Sequence, residues 1–372
     1  MRLNLRKYDK RFKIPGSIER KSAYKAWRTI RNNKRVNAAK DTPDIIRYAT
    51  PAQMASVVHP EEVRTKETIE QVSFGKGIVT LFHKTPADIA CGRFWEVRWA
   101  YGCPLDCNYC YLRGTMRGRM KPSPIQTQYV LRAIDEAFQN IREPSIFNTG
   151  ELSDSLMYPS LMEKIVDKFE EQAIHKVALL SKMGVRNIDF LLKGLRRQTI
   201  CAWSINSDVV ARRWEKAAPE PDERIRAAKL VSDMGYDTRI RIDPIFPVAN
   251  WKSQYEDLLY GLLSAFEPKR IILGTPRGLW KTIKYARDAK IDMSWTNFFA
   301  EDTSWGKKIA FRQRQEIYDF FVNKLESLGY SRSNVTICKE TTGMLQSLGI
   351  PFSPLTCNCY GPQAFKTNEV PS

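Results

Sequence analysis

From Phe94 onward the chain alternates short apolar runs with stretches of helical period. Runs near 94–100, 145–149, 176–181, 199–205, 238–243 and 270–274 are nearly continuous in apolar character, as strands covered on both faces are. Helical patterning falls near 123–141, 156–173, 186–196, 219–234, 251–266 and 309–328. This rhythm predicts a parallel sheet. Six strand–helix units predict an α/β fold, a partial (β/α)6 barrel of the TIM type, with its chemistry at the C-terminal ends of the strands. Cys103, Glu151, Lys182, Asn206 and Asp243 fall at those ends. Ahead of them, residues 77–82 read as a short strand leading into the core, and residues 1–70 are polar with one helix expected near 20–35. The expected organisation is a basic N-terminal extension over 1–90, the barrel over 91–300 and a cysteine-bearing cap over 301–372. No internal repeat is visible beyond the alternation itself.

Composition narrows the class. The 372 residues can bury one large core or two modest ones. A hydrophobic fraction of 43% beside 27% charged residues is that of an ordinary globule. No run of 18 apolar residues offers a membrane span, and the first residues carry no apolar signal segment. The expected setting is the cytoplasm, without a membrane partner. Clustering of the eight cysteines in chemical motifs agrees with a reducing compartment.

The net charge is +18, and residues 1–35 hold thirteen Lys or Arg against two acids. Tyr8, Phe12, Tyr24 and Trp27 are interleaved there. Basic stretches with stacking side chains suit a phosphate backbone with unstacked bases nearby. A solvated basic arm that touches any polyanion, RNA included, would look the same.

The densest chemistry is Tyr101-Gly-Cys-Pro-Leu-Asp-Cys-Asn-Tyr-Cys-Tyr111, where Cys103, Cys107 and Cys110 are spaced C-x3-C-x2-C. Iron–sulfur cubanes take cysteine thiolates, normally four. Three thiolates leave one iron without a protein ligand, and an open metal position is where small molecules bind and react. A zinc knuckle is the alternative, but zinc sites usually pair C-x2-C with a distant second pair, which this spacing lacks.

The triplet resembles the cluster loop of the radical S-adenosylmethionine enzymes, and Cys-Asn-Tyr-Cys-Tyr-Leu (107–112) is similar to that of the spore photoproduct lyase family. The resemblance extends over about residues 91–280. It takes in Phe147-Asn-Thr-Gly-Glu-Leu-Ser-Asp154, Trp203-Ser-Ile-Asn206, Pro219-Glu-Pro-Asp-Glu-Arg-Ile-Arg-Ala-Ala228 and Arg239-Ile-Arg-Ile-Asp-Pro-Ile-Phe-Pro247. It implies a [4Fe–4S] cluster on Cys103, Cys107 and Cys110, S-adenosylmethionine as cofactor, and a 5′-deoxyadenosyl radical. The implied substrate is nucleic acid, DNA before RNA, and the implied activity a lyase reaction of DNA repair. An electron donor such as flavodoxin or ferredoxin is implied as partner. Tyr109 and Tyr111 match the two tyrosines that relay the hydrogen atom in that family. Its cysteine donor, just upstream of the Ser-Asp pair, is not matched: Glu151-Leu152 precede Ser153-Asp154 here, and no cysteine lies between 110 and 201.

Beside that resemblance, Gly150 permits close backbone approach, and Glu151 offers a carboxylate to the cofactor's ammonium group or sits as an acid at a helix N-terminus. Ser153 suits a helix cap, the cofactor, or both. Lys182 is placed either in the barrel mouth, facing a carboxylate, or snorkelling at the surface. Ser204 and Asn206 share one strand face, fit for ribose or carboxylate hydrogen bonds. Arg239, Arg241 and Asp243 share another, where Arg241 and Asp243 make either an interior ion pair or a substrate contact.

A second group, Cys338, Cys357 and Cys359, suits zinc or a second iron–sulfur cluster, with Cys91, Cys201 or a water as fourth ligand, or else buried thiols. His59, His83 and His175 form no catalytic pattern. Two other functions stay open: a radical enzyme modifying RNA or a peptide, and a non-catalytic iron–sulfur protein that binds nucleic acid or senses redox state.

Overall fold

The structure, a computed structural model, describes residues 72–82, 85–352, 357 and 359–361. The chain divides into two units, Met1–Thr68 and Ile69–Ser372. The first unit, with the basic segment, the helix expected at 20–35 and His59, lies outside the described residues, as does His83.

The second unit is built on one nine-stranded sheet. In chain order its strands are β1 (Ser73–Phe74), β2 (Val79–Phe82), β3 (Phe94–Val97), β4 (Ile146–Asn148), β5 (Lys176–Ser181), β6 (Thr199–Ser204), β7 (Asp237–Ile242), β8 (Arg270–Leu273) and β9 (Val335–Ile337). Spatial order follows chain order, and the sheet is open, ending at β1 and β9. From β3 to β9 every pairing is parallel. β1 and β2 form an antiparallel edge on β3. All six expected parallel strands are present. β9 adds a seventh, from the region expected to be a cap. The strand read at 77–82 runs against the barrel strands rather than with them.

Alternation along each strand assigns two faces. Trp95, Phe147, Val177, Leu179, Cys201, Trp203, Ile240, Ile242, Ile271 and Leu273 point into the main core beneath the helices. Phe94, Ile146, Ala178, Ile200 and Ile272 point to the opposite, concave side and pack there as a smaller cluster. The helices present stripes at helical spacing: Thr127–Asn140 (α2) buries Val130, Ala133, Ile134 and Ala137, and Pro159–Glu170 (α3) buries Met162, Ile165, Val166 and Phe169. Proline at the first turn starts α3 and Pro221–Asp233 (α5), where Asp222 and Glu223 also favour the positive end of the helix. Trp251–Ala265 (α6) and Phe311–Ser327 (α8) complete the expected set.

The helix expected at 186–196 is instead two short 3-10 turns, Val185–Asn187 and Leu191–Lys193. The buried residues there, Ile188, Phe190 and Leu191, do not follow a helical stripe, and the Arg196 guanidinium takes the Phe190 carbonyl. Three helices went unread: Leu112–Thr115 (α1), Asp208–Trp214 (α4) and Trp280–Asp288 (α7), along with the last short one, Thr342–Ser347 (α9). α1 and α4 are too short to show a period, and α7 buries only Thr282 and Ala286. His175 is buried, stacked on Phe138, and belongs to the core.

Candidate active site at the strand ends

The concave face ends, at the C-terminal edge of the strands, in a cavity of about 590 Å³. Successive strands contribute Glu96 and Arg98, Gly150 and Glu151, Leu180 and Lys182, Ser204, Arg241 and Asp243, and Cys338 to its wall. Cys103, Cys107, Cys110, Tyr109 and Tyr111 close it from the loop after β3.

That loop is held from several sides. Gly102 enters it at φ +81°, and a Cβ there would stand 2.7 Å from the Met120 carbonyl, which itself accepts the Cys103 amide at 3.0 Å. The Cys110 amide donates to the Cys107 carbonyl, and the Asn108 amide to that of Trp214. Arg113 crosses the loop to Asp106 at 2.6 Å. Cys107 is buried, with Cys103 and Cys110 half-buried, and the three thiols interact with one another. Burial pushes all three up, Cys103 to about 12.

The opposite wall is a chain of charged side chains. Lys182 points into the mouth, as one of its two expected placements requires. Its Nζ donates to Ser204 Oγ at 2.8 Å, stands 3.8 Å from Glu215 Oε1 and lies over the Tyr109 ring. Glu215 is fully buried and also takes the Arg224 guanidinium at 2.5 Å and the Tyr109 hydroxyl. Burial pushes the Glu215 carboxyl up, but Lys182, Arg224 and Tyr109 together outweigh it and hold the group below the usual range. Burial likewise raises the Tyr109 and Tyr111 hydroxyls far above the ordinary tyrosine value, so both keep their protons.

Gly150 and Glu151 sit where the sequence placed them. A Cβ on Gly150 would lie 2.6 Å from that of Leu180, so the close approach demands glycine. Glu151 Oε1 accepts from Asn148 at 3.0 Å, and Oε2 faces Lys339 at 3.6 Å and the Tyr111 hydroxyl at 3.3 Å. Tyr111 also donates to the Glu151 carbonyl at 2.5 Å. Asp154 is buried and accepts from Ser181 Oγ, the Leu156 amide and the Lys182 amide, which locks the turn carrying Ser153. No helix is capped by Ser153. Its hydroxyl lines the cavity, buried and without a hydrogen-bond partner among the described residues.

Asn206 does not join the group. It continues the Ser204 face past the strand end, but its amide donates to the Pro244 carbonyl and accepts from Tyr255 and the Ser207 amide. Those bonds turn it to the Pro244 and Tyr255 side, and it is not among the residues lining the cavity. Arg239 is likewise committed, to Asp237 and to the carbonyls of Cys359 and Tyr360. Arg241 and Asp243 do form the interior ion pair, at 3.5 Å, and Arg277 joins it at 3.0 Å. Glu215, Lys339 and Arg277 had no signal in the sequence. Each follows an element end in an irregular segment, where neither period nor motif marks it.

The residues present fit a cluster and a polar cofactor. Three interacting thiols stand on one loop at the cavity, with a lysine nearby and an unpartnered buried hydroxyl across from them. Among the described residues no three His, Cys, Asp or Glu side chains are drawn around a single-ion position. Replacing Glu215 by Gln leaves Arg224 buried beside an uncharged partner and is expected to destabilise the fold by about 3–5 kcal/mol. Because the carboxyl's folded value lies below its unfolded one, its contribution is present above the ordinary glutamate range and fades as pH falls through the folded value. Urea unfolding of wild type and Glu215→Gln across pH checks this: the difference must shrink in acid.

Comparison with known proteins agrees with the geometry. The family model described as spore photoproduct lyase matches residues 92–272. The spore photoproduct lyase of Clostridium acetobutylicum is 25% identical over 241 residues, 60% of this chain and 70% of the relative. That of Bacillus subtilis is 27% identical over 179 residues, 46% of this chain and 51% of the relative. A solved spore photoproduct lyase complexed with dinucleoside spore photoproduct superposes with a TM-score of 0.56 at 18% identity, covering 65% of this chain and 75% of that one; at that identity the likeness is one of fold. The wall of polar strand ends, the thiol triplet and the matched residues 92–272 together relate this chain to the spore photoproduct lyases of the radical S-adenosylmethionine family.

Proposed function

We propose that this chain is a radical S-adenosylmethionine enzyme acting on photodamaged DNA, with a [4Fe–4S] cluster on Cys103, Cys107 and Cys110. The observation that carries the reading is the thiol triplet on the mouth of a parallel sheet, facing an unpartnered buried serine, within residues that match the lyase family. When bound, the cluster supplies the electron for reductive cleavage of S-adenosylmethionine to a 5′-deoxyadenosyl radical, and a flavodoxin- or ferredoxin-like protein supplies that electron in turn.

The side chains divide the remaining work. Glu151 offers its carboxylate to the cofactor's ammonium group, with Asn148 fixing the other oxygen. Gly150 lets the cofactor approach the backbone, and the Ser153 hydroxyl gains the partner it lacks. Lys182 and Ser204, already joined, present a cation and a hydroxyl to the cofactor's carboxylate and ribose. Asn206 contributes by holding the Pro244 turn rather than by touching the cofactor.

Return of a hydrogen atom to the product falls to Tyr109 or Tyr111. Leu152 stands where the family places its cysteine donor, and both tyrosines line the cavity. Each hydroxyl is hydrogen-bonded to glutamate, Tyr109 to the carboxylate of Glu215 and Tyr111 to the carbonyl of Glu151, which fixes its position; giving its whole hydrogen atom to the product radical leaves a tyrosyl radical that 5′-deoxyadenosine would reduce. A tyrosine O–H is a poorer hydrogen donor than a thiol. On photoproduct-containing DNA, Tyr109→Phe or Tyr111→Phe is expected to lower the yield of repaired thymines, and Leu152→Cys to raise it. Undiminished repair by both Phe variants would assign the donor elsewhere, with Cys338 the next thiol on the cavity wall. No repair by wild type that nevertheless cleaves the cofactor would reject the DNA lesion as substrate.

DNA binding is assigned to the basic segment 1–35, whose thirteen Lys or Arg are interleaved with aromatics. Each phosphate it neutralises releases counterions. Deleting the segment should weaken binding and lower the dependence of log affinity on log salt by about one for each phosphate no longer neutralised. An unchanged slope, measured side by side on DNA and RNA, would remove the segment from the interface.

A further inference from the structure

Beneath the cavity, four of the remaining cysteines meet inside the sheet. Cys338 follows β9 on the concave face, and Cys357, Cys359 and Cys91 pack against it and against Phe94, Ile146, Ala178, Ile200 and Ile272. Cys201, the other candidate, lies on the opposite face of the sheet in the main core and takes no part.

We propose that Cys91, Cys338, Cys357 and Cys359 are the four ligands of a second metal centre, a thiolate-held zinc ion or iron–sulfur cluster. Three observations carry this beyond a chance packing of thiols. First, two of the sulfurs face a buried cation: the Arg241 guanidinium donates to Cys338 Sγ at 2.5 Å and approaches Cys359 Sγ at 3.4 Å. A guanidinium directed at sulfur is suited to thiolates that share a metal, since such a centre carries net negative charge and its sulfurs accept hydrogen bonds. Asp243 balances the cation at 3.5 Å, but neutral thiols are weak acceptors for the N–H that is turned toward sulfur. Second, the backbone folds back at the two C-terminal ligands. The Tyr360 and Gly361 amides both donate to the Cys357 carbonyl, at 3.0 and 2.8 Å, with Gly361 at φ +60°. Arg239 pins the same turn through the Cys359 and Tyr360 carbonyls at 2.6 and 2.9 Å. Third, the ligands come from three separate stretches, before β3, after β9 and near the C-terminus. Metal binding would tie these together across the open sheet, as structural metals do.

Four thiolates complete the coordination, so the centre would be closed and structural, in contrast to the three-thiolate site above it. Among the described residues no three of these side chains surround a single-ion position, so binding either draws Cys357 and Cys359 in around one ion or spans the sulfurs with a cluster. The centre would also bear on the cavity. Lys339 follows Cys338 in the left-handed region, at φ 54°, and places its Nζ over the Phe82 ring and 3.6 Å from Glu151. Fixing Cys338 therefore fixes the lysine that faces the proposed cofactor carboxylate.

The test separates this site from the first. A triple variant of the full chain, Cys103→Ala, Cys107→Ala and Cys110→Ala, empties the upper site and leaves the lower one intact. It is purified anaerobically, then reconstituted either with ferrous iron and sulfide or with zinc alone, and assayed by metal analysis and thiol titration. Retention of about one zinc, or of iron with sulfide and charge-transfer absorption, supports the site and tells the two centres apart. Adding Cys357→Ser and Cys359→Ser, or Cys91→Ser, in that background should abolish the bound metal, and circular dichroism reports whether each variant is folded. Wild-type fold in the triple variant with neither metal bound, and all remaining thiols titrating freely, would overturn the proposal. Metal content unchanged by Cys91→Ser would remove Cys91 from the ligand set. Neither result depends on whether the upper site cleaves S-adenosylmethionine.

Discussion

Two-residue alternation along parallel strands is the constraint on which the molecule depends. Each strand must bury one face under helices, so Trp95, Phe147, Leu179, Trp203 and Ile240 are committed to the main core. The other face is left free of helices and can change character along its length. At its base it is apolar, with Phe94, Ile146, Ala178, Ile200 and Ile272. At its C-terminal edge the same positions, continued by four residues, become Arg98, Gly150, Lys182, Ser204 and Pro276, and β7 with the residue after it adds Arg241 and Asp243. A register slip of one residue would bury the charges and expose the tryptophans. The polar mouth is thus a consequence of the same pattern that holds the sheet together.

Charge at that mouth is tolerable only because it is paired. Burying Glu215, Arg224, Arg241, Asp243 and Arg277 would cost several kcal/mol for each ion left alone. Instead Glu215 is shared among Arg224, Lys182 and the Tyr109 hydroxyl, and Asp243 between two guanidinium groups. The network fixes side chains from β5, β6, β7 and the cluster loop against one another. It holds the wall rigid while leaving the Ser153 hydroxyl and the thiol triplet facing the open space.

Most of this framework was legible in the chain itself, because long apolar runs and triplet spacing are local signals. All six strands and five of six expected helices lie where period placed them. What escaped has physical reasons. The segment 186–196 has helical polarity but packs Ile188, Phe190 and Leu191 in 3-10 turns. Val335–Ile337, with a threonine at its centre, shows no continuous apolar run, yet it extends the sheet and delivers Cys338. Asn206 lies on the expected face but one step past the strand, where Tyr255 and Pro244 capture it. Glu215, Lys339 and Arg277 act through tertiary position alone. Cys91 was one of two candidates for a fourth thiolate, and only the two faces of the sheet separate it from Cys201.

The central claim is that the loop thiols and the facing polar wall start a radical reaction on S-adenosylmethionine. The direct measurement is formation of 5′-deoxyadenosine by anaerobically reconstituted protein with a strong one-electron reductant, without any nucleic acid. Wild type is expected to release it, and single Cys103→Ala, Cys107→Ala or Cys110→Ala variants, still folded, to release none. Iron-loaded wild type that binds S-adenosylmethionine yet never yields 5′-deoxyadenosine would contradict the account.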